Sequence, residues 1–420
     1  MGDPQDRLRF VHIAGTNGKG SVAALTASVT RAAGYKTGLY TSPYLQRFTE
    51  RIRVDGVEIP ESEVARLAGV VRAAIDRITA GGGQHPTELE VVGAIAFLYF
   101  EQEGCEIVVF EVGLGGRYDP TNVIKTPLAA VITTIDYDHT AKLGGTLEAI
   151  AYQKAGIIKP GGEVVVYQQP ESVSRVFADE AALMGARLTL CDFSSVRQDA
   201  YGVDGQRFCY GRYENLVISL LGDYQMYNAA LVIETVEAIN RNAADGGVYI
   251  TDDALRRGLR QARWPGRMEI LNENPTLLID AAHNAQCAGA LRNALVKYFP
   301  DKKIVYIFGV VRDKDYISII DATLPIASAV FTVTTDSQRA VPAGELADVV
   351  RERASERKET CANTRGVRRL SDRIWACGSV AEAVRRALDF AKNTGAVVCS
   401  FGSLYYIGLV RDLFERGTVN

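Results

Sequence analysis

The residues best suited to chemistry lie near the start of the chain, in the segment Phe10–Val29 with the sequence FVHIAGTNGKGSVAALTASV. An apolar strand runs into a glycine-rich turn and then a helix, which is the setting of a phosphate-binding loop. Glycines let backbone N–H groups approach phosphate oxygens, and the helix presents its positive end. Lys19 adds charge, and the Ser21 hydroxyl would contact Mg²⁺. The predicted ATP-binding loop consists of Gly15, Thr16, Asn17, Gly18, Lys19, Gly20 and Ser21.

This loop departs from the general pattern G-x-x-x-x-G-K-[ST]. Ile13 occupies the first glycine position, and Gly20 separates Lys19 from Ser21. The alternative is an ordinary glycine-rich turn between a strand and a helix, because short glycine motifs alone are weak evidence. The lysine, the serine and the strand–turn–helix setting together favour nucleotide binding.

A second chemical feature is the carboxylate of Glu111, near the end of the apolar run Glu106–Val112. Ligand-facing carboxylates are expected at the carboxyl edge of a parallel sheet. The alternative is a solvent-exposed strand end. Three glycines follow closely and argue for a near approach of backbone to a ligand. They are Gly113, Gly115 and Gly116.

The elements that must position these residues alternate between short apolar strands and longer helical patterns, which is typical of a parallel sheet with crossover helices. The predicted strands are Leu8–Ala14, Lys36–Tyr40, Glu106–Val112, Ala129–Ile135 and Glu163–Tyr167. The predicted helices are Val22–Ala33 and Leu147–Lys159. Glu106–Val112 and Ala129–Ile135 are nearly continuous apolar runs, so we expect them to be central strands. Between about 170 and 221 the pattern is weak, and the topology stays open.

A second α/β pattern begins near Thr276. Its predicted elements are the strands Thr276–Asp280, Lys303–Gly309, Ala327–Thr332 and Ala396–Phe401 and the helices Gln286–Tyr298 and Val380–Lys392. The polar stretch 272–275 interrupts the pattern, which predicts an ATP-binding domain over residues 1–272 and a ligase domain over 273–420. Arg351–Arg369 is polar without an apolar period and is predicted to be a surface excursion. The expected fold is α/β, with a P-loop-containing parallel-sheet domain followed by a smaller Rossmann-like α/β domain.

Composition excludes several classes of protein. The 420 residues are 47% hydrophobic and 23% charged with a net charge of −3, as in a soluble globular protein with no broad basic surface for nucleic acid. The seven cysteines are scattered without metal-like spacing, so we expect them to be reduced. No signal-like segment or long apolar run is present. We therefore expect a cytoplasmic protein without a membrane partner.

Motifs along most of the chain resemble the folylpolyglutamate synthases, within the Mur ligase superfamily. The first two are GTNGKGS at 15–21 and TSPYL at Thr41–Leu45. Further blocks are TELE at Thr87–Glu90, EVGLGGRYDPTNVI at Glu111–Ile124, DHTAKLGGTLEAIAYQKAGIIKPG at Asp138–Gly161, GDYQMYNAA at Gly222–Ala230, WPGRMEIL at Trp264–Leu271, IDAAHNAQ at Ile279–Gln286, FGVVRDKD at Phe308–Asp315 and GSLYYIG at Gly402–Gly408.

The resemblance implies that ATP activates a folate carboxylate as an acyl phosphate, which the amine of L-glutamate then displaces. It implies Mg²⁺ ligands at Ser21, Ser42, Glu111 and His139, with Lys154 carbamylated by CO₂ as a further ligand. It implies ATP contacts at Asn228, Arg267 and Asp280. Catalytic roles fall on Lys19, Lys154, Asp280, His283 and Ser403. A lone histidine is more often structural, and capping or surface roles are the alternatives for Asn228, Arg267, Asp280 and Ser403. For Lys154 the alternative is an ordinary lysine on a helix surface that balances acidic neighbours.

This sequence departs from the family at several points. Family members usually have a further segment before the block that matches Gly2–Gln5. Gln153 stands where many members have Glu, Tyr224 where many have His, and Ala281 where Gly is commoner. These differences lie beside the proposed functional residues and do not replace them.

Three questions of function stay open at this point. We expect the acceptor to be a reduced folate, and dihydropteroate is a second candidate acceptor for the same chain. A UDP-muramoyl amino-acid ligase is the alternative within the superfamily, although the TSPYL and TELE blocks resemble the folate branch. A P-loop switch ATPase is the alternative from a different class, and it would hydrolyse ATP without an amine acceptor. We expect a monomer.

Overall fold

The computed structural model describes residues 1–243, 247–356 and 369–417. The chain forms two compact units. The first comprises Met1–Ser219 and Tyr224–Trp264, and the second comprises Leu220–Asp223 and Pro265–Asn420. No helix within the described ranges is long and apolar enough to cross a membrane.

The first unit contains the strands β1 to β11 and the helices α1 to α8. The strands are β1 Phe10–Ala14, β2 Thr37–Tyr40, β3 Ile52–Val54, β4 Val57–Glu58, β5 Ile107–Glu111, β6 Ala129–Ile132, β7 Glu163–Val166, β8 Arg187–Leu190, β9 Arg197–Gly202, β10 Gly205–Tyr210 and β11 Tyr213–Ile218. The helices are α1 Lys19–Ala32, α2 Glu61–Ala80, α3 Glu88–Gln102, α4 Thr140–Leu143, α5 Leu147–Ala155, α6 Glu171–Leu183, α7 Tyr224–Arg241 and α8 Asp252–Gln261.

Eight strands form the main sheet of this unit, in the order β4-β3-β2-β5-β1-β6-β7-β8. The strands from β2 to β8 in this order pair in parallel, whereas β3 and β4 pair antiparallel at the edge. The predicted central strands are confirmed, since β5 and β6 lie on either side of β1. The phosphate loop therefore leaves the carboxyl end of a fully buried central strand.

Two apolar clusters stabilise this sheet. One contains Phe10, Phe97 and Phe110, whose rings lie edge to face or stacked, with Phe97 and Phe110 at 4.8 Å between centroids. The other contains Ile150 and Phe177 from α5 and α6. Burial of such side chains contributes roughly 1.5–3 kcal/mol each. The strand that carries the phosphate loop is thus held rigidly.

The segment from about 170 to 221, whose topology the sequence left open, continues the main sheet and then forms a second one. Helix α6 and strand β8 complete the parallel sheet, and β9, β10 and β11 form an antiparallel sheet in the order β11-β10-β9. Its alternating burial, with outward polar residues, explains why the apolar pattern was weak.

The second unit is a smaller α/β layer structure. Its strands are β12 Glu269–Glu273, β13 Thr276–Ile279, β14 Ile304–Phe308, β15 Ala327–Thr332, β16 Ile374–Ala376 and β17 Val397–Phe401. Its helices are α9 Ala285–Tyr298, α10 Tyr316–Thr323, α11 Ala343–Glu356, α12 Val380–Thr394 and α13 Leu404–Glu415. The strand order is β12-β13-β17-β14-β15-β16, with all pairs parallel except β12 with β13. The predicted fold class is confirmed.

Some predicted element bounds were wrong. Helix α5 ends at Ala155 rather than Lys159, because Gly156, a poor helix former, follows it. Strand β6 ends at Ile132. The polar stretch 272–275 comprises the end of β12 and the turn into β13, so the boundary predicted near residue 272 falls inside the β12–β13 hairpin.

The predicted surface excursion Arg351–Arg369 was wrong in its first part. Residues up to Glu356 belong to α11, whose inward face is apolar at Leu346, Val350 and Ala354. The remainder, residues 357–368, lies outside the described residues.

Candidate active site

The phosphate loop connects β1 to α1 and is tied to the segment that follows β6. Thr16 N donates to Thr134 O at 2.7 Å, and the Thr16 hydroxyl donates to Asp136 O at 3.1 Å. Gly15 and Gly18 have φ values of 149° and 89°, which L residues with a side chain rarely adopt. The glycine spacing noted in the sequence is therefore required by the backbone.

Close neighbours also exclude side chains at the loop glycines. A Cβ on Gly15 would overlap the side chain of Thr133, and one on Gly18 would lie 2.9 Å from Asn228 Oδ1. A Cβ on Gly20 would lie 2.9 Å from the indole ring of Trp264. The loop is therefore packed from three sides.

Two lysines converge on the loop. Lys19 Nζ donates to the carbonyl oxygens of Gly15 at 3.0 Å and Thr16 at 3.1 Å. Lys154 Nζ, at the end of α5, donates to the same Gly15 oxygen at 2.7 Å. The structure thus brings together two predicted catalytic residues that are far apart in sequence.

The environment of Lys154 is unusual for a lysine. Its side chain is buried, with 4% of the residue exposed. Burial, with the nearby charge of Lys19, lowers its pKa from 10.5 to about 7. Near neutral pH, Lys154 therefore carries a neutral amine in a substantial fraction of the protein molecules.

Glu111 and Ser42 meet at the carboxyl edge of the sheet. Glu111 ends β5 and Ser42 follows β2, and these strands are parallel neighbours. Ser42 N donates to Glu111 Oε2 at 3.0 Å, and Glu111 is 4% exposed. The strand end is thus buried, unlike the solvent-exposed alternative.

His139 lies in the loop after β6, at the start of α4. Its backbone is left-handed, with φ 50°, and its ring Nε2 lies 3.8 Å from Asp138 Oδ1. Nearly half of the side chain is exposed.

Ser21 and Asn228 are connected through a residue that the sequence analysis did not single out. Gln225 Nε2 donates to Ser21 Oγ at 3.2 Å, and Asn228 Nδ2 donates to Gln225 Oε1 at 2.9 Å. All three side chains are buried. Asn228 lies inside α7, so it is not a helix cap. The GDYQMYNAA block contains Gln225, but its partner could not be read from it.

The second unit carries the remaining predicted residues. Asp280 follows β13 and accepts from Met268 N at 2.9 Å and from Ala282 N at 2.8 Å. Burial raises its pKa above the ordinary range, whereas the positive charge of Arg267 opposes this shift. The structure thus places Asp280 near Arg267.

His283 and Ser403 lie on the same edge of the second sheet, after the adjacent strands β13 and β17. His283 Nδ1 donates to Ala281 O at 2.9 Å. Ser403 Oγ accepts from Tyr405 N at 3.2 Å and so caps α13, which is the alternative considered for it.

Comparison with known protein families shows which family this chain belongs to. Residues 13–236 match the Mur ligase middle domain, and residues 266–404 match the Mur ligase glutamate ligase domain. The chain belongs to the Mur ligase family.

Similar proteins within this family are named as dihydrofolate and folylpolyglutamate synthases. The dihydrofolate synthase/folylpolyglutamate synthase of Bacillus subtilis (strain 168) is 36% identical over 418 residues, which cover 98% of this chain and 91% of that protein. The Mycobacterium tuberculosis folylpolyglutamate synthase complexed with ADP and AMPPCP superposes with a TM-score of 0.86 at 31% identity, covering 98% of this chain and 92% of that one. An FPGS–AMPPCP–folate complex has a TM-score of 0.79 at 32% identity, covering 98% and 91%. These relatives favour the folate branch over UDP-muramoyl ligases.

Proposed function

We propose that this protein is an ATP-dependent ligase that adds L-glutamate to the carboxylate of a reduced folate through an acyl-phosphate intermediate. The observation that carries the proposal is the convergence of Lys19 and Lys154 on the carbonyl of Gly15 in the phosphate loop. Similarity to dihydrofolate and folylpolyglutamate synthases supports the choice of substrate.

The reaction proceeds in two steps. A folate carboxylate oxygen attacks the γ-phosphorus of ATP, and ADP leaves. The glutamate amine, having lost a proton, then attacks the acyl carbon, and the amide forms as inorganic phosphate leaves with the second amine proton. Both steps concentrate negative charge, so catalysis depends mainly on positioning and on fixed positive groups.

The loop residues supply those groups. Backbone N–H groups of Gly15–Ser21 and the first turn of α1 face the phosphates, as at other helix N-termini. Lys19 exchanges its bonds to the Gly15 and Thr16 carbonyls for bonds to phosphate oxygens. Asn228 and Arg267 contribute contacts to ATP.

The residues around the loop fit a magnesium ion. Ser21, Ser42 and Glu111 offer hydroxyl and carboxylate oxygens, which this hard cation prefers, and the Glu111 carboxylate is buried beside a backbone N–H. His139 is proposed as a further ligand. When bound, Mg²⁺ would neutralise charge on the transferring phosphoryl group.

Lys154 is proposed to carry a carbamate. Its neutral amine would attack CO₂, forming an N–C bond and releasing a proton, and the product carries a negative charge. The lowered pKa makes the neutral amine available near pH 7. The carbamate nitrogen keeps one hydrogen for the Gly15 carbonyl, and its oxygens are ligands suited to Mg²⁺.

Asp280, His283 and Ser403 are proposed to align the glutamate amine or the ATP phosphates. His283 Nδ1 is held by the Ala281 carbonyl, which fixes the ring orientation. We also propose that the protein acts in the cytoplasm, where ATP is available, and that it is a monomer.

Dihydropteroate is the second candidate acceptor, since the Bacillus subtilis and Mycobacterium tuberculosis relatives carry both synthase names. The chemistry would be the same, because dihydropteroate also presents a carboxylate for activation.

One experiment tests the function and separates the acceptors. The protein is incubated with ATP, Mg²⁺ and L-glutamate, with either tetrahydrofolate or dihydropteroate, and pterin mass and ADP are measured. We expect glutamyl products, with one ADP formed for each glutamate added. ADP formation without any pterin product would contradict the ligase and favour a switch ATPase. ¹³C-labelled bicarbonate with NMR of the same enzyme tests the carbamate at Lys154.

A further inference from the structure

Helix α7 contributes a buried polar side chain to the phosphate loop. Gln225 lies in the first turn of α7 and has no exposed surface. Leaving a buried carboxamide unpaired is strongly unfavourable, so its partners are informative. Both of its polar atoms are used, one on Ser21 and one on Asn228.

These hydrogen bonds form a chain from Asn228 through Gln225 to Ser21, which we call the relay. Asn228 Nδ2 donates to Gln225 Oε1, and Gln225 Nε2 donates to Ser21 Oγ. Because Ser21 Oγ accepts from Gln225, one lone pair is used, and the second lone pair and the hydroxyl proton stay available to ligands. Gln225 therefore determines how the Ser21 hydroxyl is oriented.

The other end of the relay also contacts the loop. Asn228 Oδ1 lies so close to Gly18 that a Cβ there would come within 2.9 Å of it. Residues 225 and 228 are three apart on one helix, so their side chains share a face. The relay thus touches the loop at Gly18 and at Ser21, on either side of Lys19.

We propose that Gln225 is a positioning residue that couples Asn228 to Ser21, so that binding of the nucleotide and binding of Mg²⁺ at Ser21 strengthen each other. This inference rests on the proposed function only for the identity of the nucleotide and the metal. It assigns no catalytic step to Gln225, whose side chain acts through its two neighbours.

The test measures nucleotide binding rather than turnover. Calorimetry gives the Kd of AMPPCP with Mg²⁺ and with EDTA for the wild type, Gln225→Met, Ser21→Ala and the double variant. Methionine keeps the volume of glutamine but cannot hydrogen-bond. Mg²⁺ should raise the affinity of the wild type for AMPPCP, and we expect this gain to be about tenfold smaller in Gln225→Met. A tenfold change corresponds to the loss of one buried hydrogen bond. In the double variant the loss should equal that of Ser21→Ala alone, since both changes remove one pathway.

A merely structural role for Gln225 gives a different result. The effects of Gln225→Met and Ser21→Ala would then multiply, and affinity in EDTA would fall as much as affinity with Mg²⁺. Either outcome would overturn the proposal. Thr235→Val is the matched control, because Thr235 is buried on the same helix but bonds only to Leu231 O at 2.8 Å. It should leave both Kd values unchanged.

A second variant covers loss of folding in Gln225→Met. Gln225→Leu also removes both hydrogen bonds at a similar volume, and it should lose the Mg²⁺-dependent gain in the same way. Unfolding of both variants, seen by circular dichroism, would show that Gln225 supports the fold itself and would overturn the proposal. Failure of folate ligation in an enzyme that keeps this coupling would instead refute the proposed function alone.

Discussion

The carbonyl oxygen of Gly15 accepts from both Lys19 and Lys154, so two positively charged or potentially charged groups share one acceptor. Like charges at this distance repel, and the burial of Lys154 adds to the cost of its charged form. The repulsion therefore favours the neutral amine of Lys154, which is the form that the proposed carbamylation requires. At the scale of single residues, Lys19 then remains the fixed positive group of the loop.

Lys19→Ala should lower the ligation rate by at least about 100-fold, because it removes a fixed positive group from the transferring phosphoryl. The fold should persist, since Lys19 lies in the loop and not in a core cluster. Product mass and circular dichroism are measured on one preparation. Lys142→Ala, at an exposed position of the same unit, is the control and should keep full activity. An active Lys19→Ala enzyme would remove the phosphate-loop assignment.

His12 makes the stability of the first unit sensitive to acid. It is fully buried on β1, and Nε2 donates to Thr121 Oγ1 at 2.8 Å, since that hydroxyl itself donates to Asp119. Burial, with a contribution from Lys159, lowers the pKa of His12 from 6.5 to about 3. The unfolded chain therefore binds a proton between these values while the folded chain does not. The contribution of His12 to the free energy of unfolding is fully present above pH 6.5 and decreases as the pH drops towards 3.

His12→Gln should remove this sensitivity, because glutamine keeps a donor for Thr121 and does not titrate. Between about pH 7.5 and about pH 5, the wild type should lose about 2 kcal/mol more unfolding free energy than the variant. Urea denaturation at both pH values measures the difference. Equal losses in the two proteins would show that His12 is protonated in the folded state.

At the scale of elements, α5 is locked to the loop that follows Glu111. Arg117 N donates to Gln153 O at 2.7 Å, and Asn122 Nδ2 donates both to Arg117 O and to Gly156 O. Because α5 carries Lys154 and the loop follows β5, this contact sets the position of Lys154 relative to Glu111.

Gly156→Ala should disrupt that contact. Its Cβ would overlap the backbone and side chain of Arg117, although its backbone conformation suits any residue. We expect a destabilisation of about 1–3 kcal/mol and a fall in ligation activity, since the helix must move away from the loop. Gly145→Ala is the matched control, with no atom within 4 Å of the new methyl group. Similar urea midpoints for the two variants would argue against a tight contact.

At the scale of the whole molecule, each unit has a hydrophobic core of its own. The clusters around Phe110 and Phe177 belong to the first unit, and the cluster around Phe308 and Phe401 belongs to the second. Units with separate cores can unfold as separate cooperative transitions.

The two tryptophans report on the units separately, since Trp264 belongs to the first and Trp375, stacked on Phe331, to the second. We expect Trp264→Phe and Trp375→Phe variants to show different urea midpoints by fluorescence, because each retains one reporter. Circular dichroism of both variants controls for a change in overall stability. Coincident fluorescence midpoints would mean that the units unfold as one.

Local features of the sequence determined the phosphate loop of this protein and most of its strands and helices. The phosphate loop follows from glycines between an apolar strand and a helix, and the order of strands and helices follows from the alternating apolar pattern. In β9 to β11 and in α11 the apolar residues form only a weak pattern along the sequence. Tertiary packing determines the structure of these segments, and their prediction from the sequence was left open or was wrong. Regular periodicity is visible locally, whereas burial against another element is not.

The contacts of the site were decided only by the tertiary structure. Lys154 reaches Gly15 across 139 positions, and Gln225 reaches Ser21 across 204. No short-range rule specifies such pairs, because they depend on which strand ends are neighbours in the sheet and on which helix faces the loop. The sequence by itself therefore predicts which residue types could form the site. Their hydrogen bonds, the burial of Lys154 and the role of Gln225 required the folded chain.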